Sequence, residues 1–141
     1  MPCCYKLHKD IGTLHCRLSG HLNLGEIFRF IDQVLRAPGH LDGTNIVADT
    51  RAMTRLDMDT ATQQQLFDCL AFLDEWDGLP RSCAVIAGGE PLWTLLGSIV
   101  STTTLHSTVV FQRFRNPAEA LAFVGLNPRV HAERFGYLPV P

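Results

Sequence analysis

The chain has 141 residues, of which 46% are hydrophobic and 18% charged, and a formal net charge of −2. That length suits one hydrophobic core and leaves little room for a second domain. The slightly acidic balance creates no general field to gather nucleic acid or anionic membrane, and no apolar run is long enough to span a bilayer.

The opening Met1-Pro2-Cys3-Cys4-Tyr5-Lys6 lacks the basic-then-apolar order of a secretory signal, so a cytoplasmic protein with reduced cysteines is expected. Tyr5 to His8 and Thr13 to Ser19 alternate in polarity around Asp10-Ile11-Gly12, which predicts a β-hairpin. Tyr5, Leu7, Leu14, Cys16 and Leu18 form its buried face, leaving Cys4, Lys6, His8, His15 and Arg17 on the other. Leu24, Ile27, Phe28, Ile31, Val34 and Leu35 then recur at helical spacing, with Asn23 and Glu26 placed as a capping box. Ala37-Pro38-Gly39 stops this helix.

Asn45 to Asp49 is a short apolar run suited to a buried central strand, left through a polar loop from Thr50 to Met58. A helix capped by Asp59 or Thr60 follows, with a stripe of Leu66, Cys69, Leu70, Leu73 and Trp76. Ser82 to Ala87 repeats the strand signal, and Gly88-Gly89-Glu90-Pro91 turns into a helix that carries Leu92, Leu95, Leu96 and Ile99 inward. Thr108 to about Phe114 is the last strand. Asn116-Pro117-Ala118-Glu119 starts a final helix whose Ala120, Leu121 and Val124 face the core.

This order predicts an α/β fold: a mixed sheet of about five strands, opened by a hairpin and continued by alternating β/α units with parallel central strands, with helices packed on it in the general doubly wound manner. Residues 1–126 form the domain. Residues 127–141 are a tail whose Phe135, Tyr137 and Leu138 dock on the domain or on a second copy, which makes a homodimer an open expectation.

Chemistry is expected at the edge where the parallel strands end and helix N-termini present free N–H groups. The connections after the strands bring Arg51, Arg55, Asp57, Gly88, Gly89, Glu90 and Arg115 to that edge, where arginines can grip a carboxylate or phosphate and paired glycines admit a ligand close to the backbone. A small anion is the natural ligand for such a set. The competing reading is equally physical: loop arginines are commonly solvated, and Gly-Gly before Glu-Pro is ordinary turn chemistry. Asp49, at a strand end, is read as a cap on the following loop in preference to a functional carboxylate.

Cys3, Cys4, His8, His15 and Cys16 crowd the N-terminus, but alternation puts Cys16 on the opposite face from Cys4, His8 and His15, so no metal or other cofactor is expected. No nucleophile elbow precedes a helix, and His106-Ser107 falls at the wrong end of its strand for catalysis. No dinucleotide fingerprint follows any strand. Arg113 and Arg115 interleave with Phe111 and Phe114 without forming the basic stripe that nucleic acid requires.

A hairpin, a capped helix, a short strand ending in Asp, a polar loop and a helix form the layout of STAS domains, the fold of bacterial anti-sigma-factor antagonists. The stretch Ile46-Val47-Ala48-Asp49-Thr50-Arg51-Ala52-Met53-Thr54-Arg55-Leu56-Asp57 resembles that family's strand, Asp and loop, and Phe114 to Val124 is similar to the last strand and helix of the SpoIIAA-like, STAS/SEC14-type branch. The resemblance implies that Asp57 opens the next helix and that Met58 stands where the family carries its phosphorylated serine. A thioether accepts no phosphoryl group, so the implied protein is a regulatory or interaction domain without the serine switch, with the hydroxyls of Thr54 and Thr60 nearby. Its partner surface would comprise Asp49, Arg51, Thr54, Arg55, Asp57, Met58, Gly88, Gly89, Glu90 and Arg115. The alternative is a small-ligand or lipid carrier with an apolar cleft behind Met53, Met58, Trp93 and Leu96.

Overall fold

The computed structural model describes residues 2–36, 44–57, 64, 82–106 and 109–138. The helix expected to carry the stripe from Leu66 to Trp76, together with Met58, lies outside the described residues. In chain order the elements are β1 (Cys3–His8), β2 (Thr13–Asn23), α1 (Leu24–Arg36), β3 (Asn45–Asp57), β4 (Ser82–Ile86), α2 (Leu92–His106), β5 (Val110–Phe114), α3 (Pro117–Phe123) and α4 (Pro128–His131), with a 3-10 turn at Glu133–Phe135. No helix among the described residues is long and apolar enough to cross a membrane.

The five strands form one sheet in the order β1-β2-β3-β4-β5. β1 and β2 are the antiparallel hairpin, and every later pair is parallel. The mixed α/β architecture is as expected. Crossovers of one hand that step in one direction across a sheet place their helices on one face, and α1 and α2 share a face here. Phe30 and Val34 of α1 and Leu96 of α2 pack with Leu14, Cys16, Leu18 and Leu22 of β2, Met53 and Leu56 of β3, and Cys83 and Val85 of β4. The opposite face is covered by the C-terminal elements: Ala120, Leu121 and Val124 meet Ala132, Phe135 and Tyr137 over Val47, Ala84 and Ile86. Helices thus lie on both faces although the order of the described strands does not reverse.

Two of the capping signals, at Asn23 and Asn116, act as anticipated. The Glu26 N–H donates to Asn23 Oδ1 at 2.9 Å and the Asn23 N–H donates to Glu26 Oε1 at 3.2 Å, closing the box at the start of α1. Asn116 Oδ1 accepts from the Ala118 N–H at 2.8 Å, and Pro117 occupies the first turn of α3. Pro91 stands one residue ahead of α2 instead of opening it.

The main departure is β3. The polar loop expected from Thr50 is strand as far as Asp57, and the helix expected to open there lies outside the described residues. The reason lies in β2, which continues through Asn23 and offers a partner along the whole length: Ser19 pairs with Ala52, Gly20 with Met53, His21 with Arg55, Leu22 with Leu56 and Asn23 with Asp57. Two register shifts, between Arg17 and Ser19 and between Gly20 and His21, insert extra residues on the β3 side. Bulges of this kind break two-residue alternation, so the buried positions Thr50, Met53 and Leu56 recur every third residue, a spacing no simple strand has.

The tail packs on its own domain. Phe135 is 2% exposed and Tyr137 7% exposed, while Leu138 remains open to solvent. The apolar surface that made a second copy an attractive partner for this tail is therefore buried within the chain, apart from Leu138. His8 and His15, assigned to the outward face of the hairpin, are buried beneath the tail: the Phe135 ring centroid lies 4.7 Å from that of His8 and 5.1 Å from that of His15.

Candidate functional site

The residues expected along one edge separate into three groups. The first is a partly buried polar cluster against the tail, with Asp49 and His15 buried and Arg51 reaching solvent. Asp49, carried on the tail-facing side of β3, accepts from Arg51 Nε at 3.1 Å on Oδ1 and from Arg51 Nη2 at 2.9 Å on Oδ2. The Arg51 backbone N–H also donates to Oδ1 at 3.1 Å, the two-residue local bond that the capping reading anticipated. Tyr137 Oη donates to Asp49 Oδ2 at 3.0 Å and lies 2.8 Å from His15 Nε2. Since the hydroxyl proton goes to the carboxylate, the His15 ring donates to Oη from Nε2.

Electrostatics follow from that arrangement. Burial, reinforced by the Arg17 charge, pulls the His15 pKa from 6.5 down to about 4, so the ring is neutral at pH 7. Burial pushes the Asp49 carboxyl up, but the hydrogen bonds and charge of Arg51, with the Tyr137 hydroxyl, outweigh it and leave the pKa below its ordinary value. Burial and the Asp49 charge raise the Tyr137 phenol. Arg17 Nη2 completes the clasp by donating to Phe135 O at 2.8 Å. Gly136 lets the tail turn there: its φ is +78°, and a Cβ would stand 2.7 Å from Arg17 Nη2. Asp49 and Arg51 thus hold the tail.

The second group sits at the far end of β2 and β3. Asp57 Oδ2 lies 2.6 Å from His21 Nε2, and Arg55 Nε donates to Asp57 Oδ1 at 2.9 Å, all on exposed side chains. The bond to His21, then that to Arg55, keeps the Asp57 carboxyl below its ordinary pKa. Thr54 is exposed on the same strand. Thr50 Oγ1 donates to Ile86 O at 2.8 Å, tying the start of this extension to the end of β4.

The third group follows β4 and β5. Gly88 lies beside the β3 backbone, its virtual Cβ 3.8 Å from Arg51 O, and Gly89 is exposed. Glu90 accepts from Thr94 Oγ1 at 2.7 and 2.8 Å on its two oxygens. Arg115 stacks on Trp93, with Cζ 4.3 Å from the ring centroid, and Arg113 does the same at 4.0 Å. Arg113 also donates to Trp93 O. Glu90, Trp93, Thr94, Gly97, Ser98, Ser101, Arg113 and Arg115 line a groove on the protein surface.

The sequence reading missed His21, His15, Tyr137 and the pairing of Arg113 with Trp93. For Arg113 a signal existed, since two-residue alternation along β5 places Phe111, Arg113 and Arg115 on the side that α2 covers. Of the residues expected behind an apolar cleft, Met53 and Leu96 are buried members of the α1/α2 core, Trp93 carries the two guanidiniums, and Met58 lies outside the described residues. No three His, Cys, Asp or Glu side chains among the described residues are grouped to hold a metal ion.

No protein-family model and no curated protein matches the chain. Among solved structures it is similar to an uncharacterized protein of the DUF3478 family with a SpoIIAA-like fold from Shewanella loihica PV-4, at 14% sequence identity and a TM-score of 0.54, over 86% of this chain and 93% of that one. Taken with the sheet order and the helices on each face, the match shows that this chain has a SpoIIAA-like fold.

Proposed function

We propose that the protein is a non-enzymatic regulatory or interaction domain whose working surface is the far end of the β2–β3 ribbon, and that its partner is a protein. One observation carries this reading. Residues 50–57 of β3 run on past Asp49, the last residue paired with β4, and among the described residues only β2 pairs with them. A strand with one unpaired edge offers backbone N–H and C=O groups to an incoming segment, and the side chains beside it select the partner. Here those side chains are Thr54, Arg55, Asp57 and His21, with Arg55 and His21 bonded to the Asp57 carboxylate. Met58 directly follows, so the reading does not depend on a phosphorylated serine at that place.

The test is affinity capture from an extract of the native host, comparing wild type with Arg55→Glu. The substitution reverses one exposed charge and leaves both cores untouched, so the circular dichroism spectrum is unchanged. A specific protein retained by wild type and lost with Arg55→Glu is the expected outcome. Equal retention by both would refute the assignment of this surface.

A further inference from the structure

Beside the α2 groove two arginines converge on one tryptophan. We propose that this groove is a binding site for a phosphate monoester or inorganic phosphate, gripped by Arg113 and Arg115 around Trp93. The site lies apart from the β2–β3 ribbon and does not rest on the function proposed for it.

Three features point to an oxyanion. Both guanidinium carbons lie within 4.3 Å of the Trp93 ring centroid, which holds two like charges inside one Debye length of about 10 Å at 0.1 M salt. Among the described residues neither guanidinium is ion-paired with a carboxylate. The groove's own acid, Glu90, is turned along the helix to the Thr94 hydroxyl and, at 3.4 Å, to the Thr94 N–H. Like charges held this close repel each other, and an anion in contact with both guanidiniums removes that cost.

The second feature is preorganisation. Arg113 is fixed before any ligand arrives by its bond to Trp93 O and by its stack on the ring. Gly97 makes room for it: a Cβ there would lie 2.5 Å from Arg113 Nη1 and 2.6 Å from Cζ. A helix interior ordinarily disfavours glycine, so its presence fits the need to lay a guanidinium across the helix at that position. Orienting one fork in advance lowers the entropy lost on binding.

The third feature is the lining. Ser101 borders the groove beside the arginines, while the Thr94 hydroxyl is taken up by Glu90. A tetrahedral dianion presents enough oxygens to meet two guanidiniums and a neighbouring hydroxyl together, whereas a carboxylate fills one fork.

The experiment is isothermal titration of the whole chain with inorganic phosphate, O-phosphoserine and acetate at matched ionic strength. Saturable binding of phosphate or phosphoserine is expected, with acetate at least about tenfold weaker. Arg115→Ala should weaken binding by roughly tenfold to a hundredfold. Gly97→Ala should do the same by displacing the Arg113 guanidinium while improving helix propensity, so that it melts no lower than wild type. Arg55→Glu should bind phosphate as wild type does. Tighter binding of phosphoserine than of phosphate would assign the site to an esterified ligand, and equal binding to the free ion. No saturation by about 10 mM phosphate, equal affinity for acetate, or undiminished binding in both Arg115→Ala and Gly97→Ala would overturn the proposal.

Discussion

Replacing Tyr137 by phenylalanine removes one oxygen and keeps the ring that covers His15 and Arg51. That oxygen is 2.8 Å from His15 Nε2 and 3.0 Å from Asp49 Oδ2, in a site where His15 is 7% exposed. Asp49 keeps its bonds from Arg51, so its charge stays compensated. His15 does not fare so well, because its Nε2–H is left buried with no acceptor. An unsatisfied buried donor costs about 1–3 kcal/mol, and loss of a hydrogen bond to a charged acceptor falls in the same range. The expected change is therefore about 2 kcal/mol of destabilisation, read as a lower urea midpoint with an unchanged m-value. Tyr137→Ala, which also removes the ring, should cost about 3–5 kcal/mol. If Tyr137→Phe changed stability by less than about 0.5 kcal/mol, the hydroxyl would have no part in holding the tail.

Further consequences can be checked by the same unfolding assay. Acidification should weaken the fold in two stages: the folded His15 pKa of about 4 lies below the ordinary 6.5, so the unfolded chain binds the proton first and stability falls as pH drops from 6.5 toward 4. Allowing for solvent screening, that stage is worth about 2 kcal/mol; the depressed Asp49 carboxyl then withdraws its contribution below its ordinary 3.8, and a flat profile from pH 7 to 4 would contradict the burial of a neutral histidine. Asn45→Ala should cost about 2 kcal/mol, because its side chain donates to Val124 O at 3.2 Å and accepts from the Ser82 N–H at 3.0 Å, joining β3 to the segments that end α3 and begin β4. Truncation after Asn127 removes Ala132, Phe135 and Tyr137 from the second core, and since each large aromatic is worth about 3–5 kcal/mol against a total of about 5–15, the shortened chain should lose its cooperative transition; a soluble, cooperatively folded truncation would show the tail to be dispensable.

Elements with regular periodicity were legible in the sequence, and those with irregular periodicity were not. The hairpin, the Asn23–Glu26 box, β4 and α3 each follow from local pattern and capping chemistry, and they sufficed for the sheet and its mixed direction. The extension of β3 escaped because two bulges convert its alternation to three-residue spacing, and only the partner strand reveals why it is extended. The tail escaped because Phe135 and Tyr137 sit on a 3-10 turn and an irregular segment, where no period exists to read. Their burial in turn reverses the surroundings of His8 and His15, which alternation alone placed outward. Asp49 was legible as a local cap, yet its bond to a tyrosine 88 residues away could not be read from sequence. The expected edge of arginines broke up for the same reason: β3 carries Arg51 under the tail and Arg55 to the ribbon end, while Arg115 joins Trp93.

The central claim, that the ribbon end is the working surface, is tested most directly by amide hydrogen exchange on the captured complex and on the free chain. The account predicts slowed exchange in residues 50–57 and 19–23 when the partner is bound, with the tail over His15 unchanged. Protection confined to the tail face, or to the hairpin edge at β1, would contradict it.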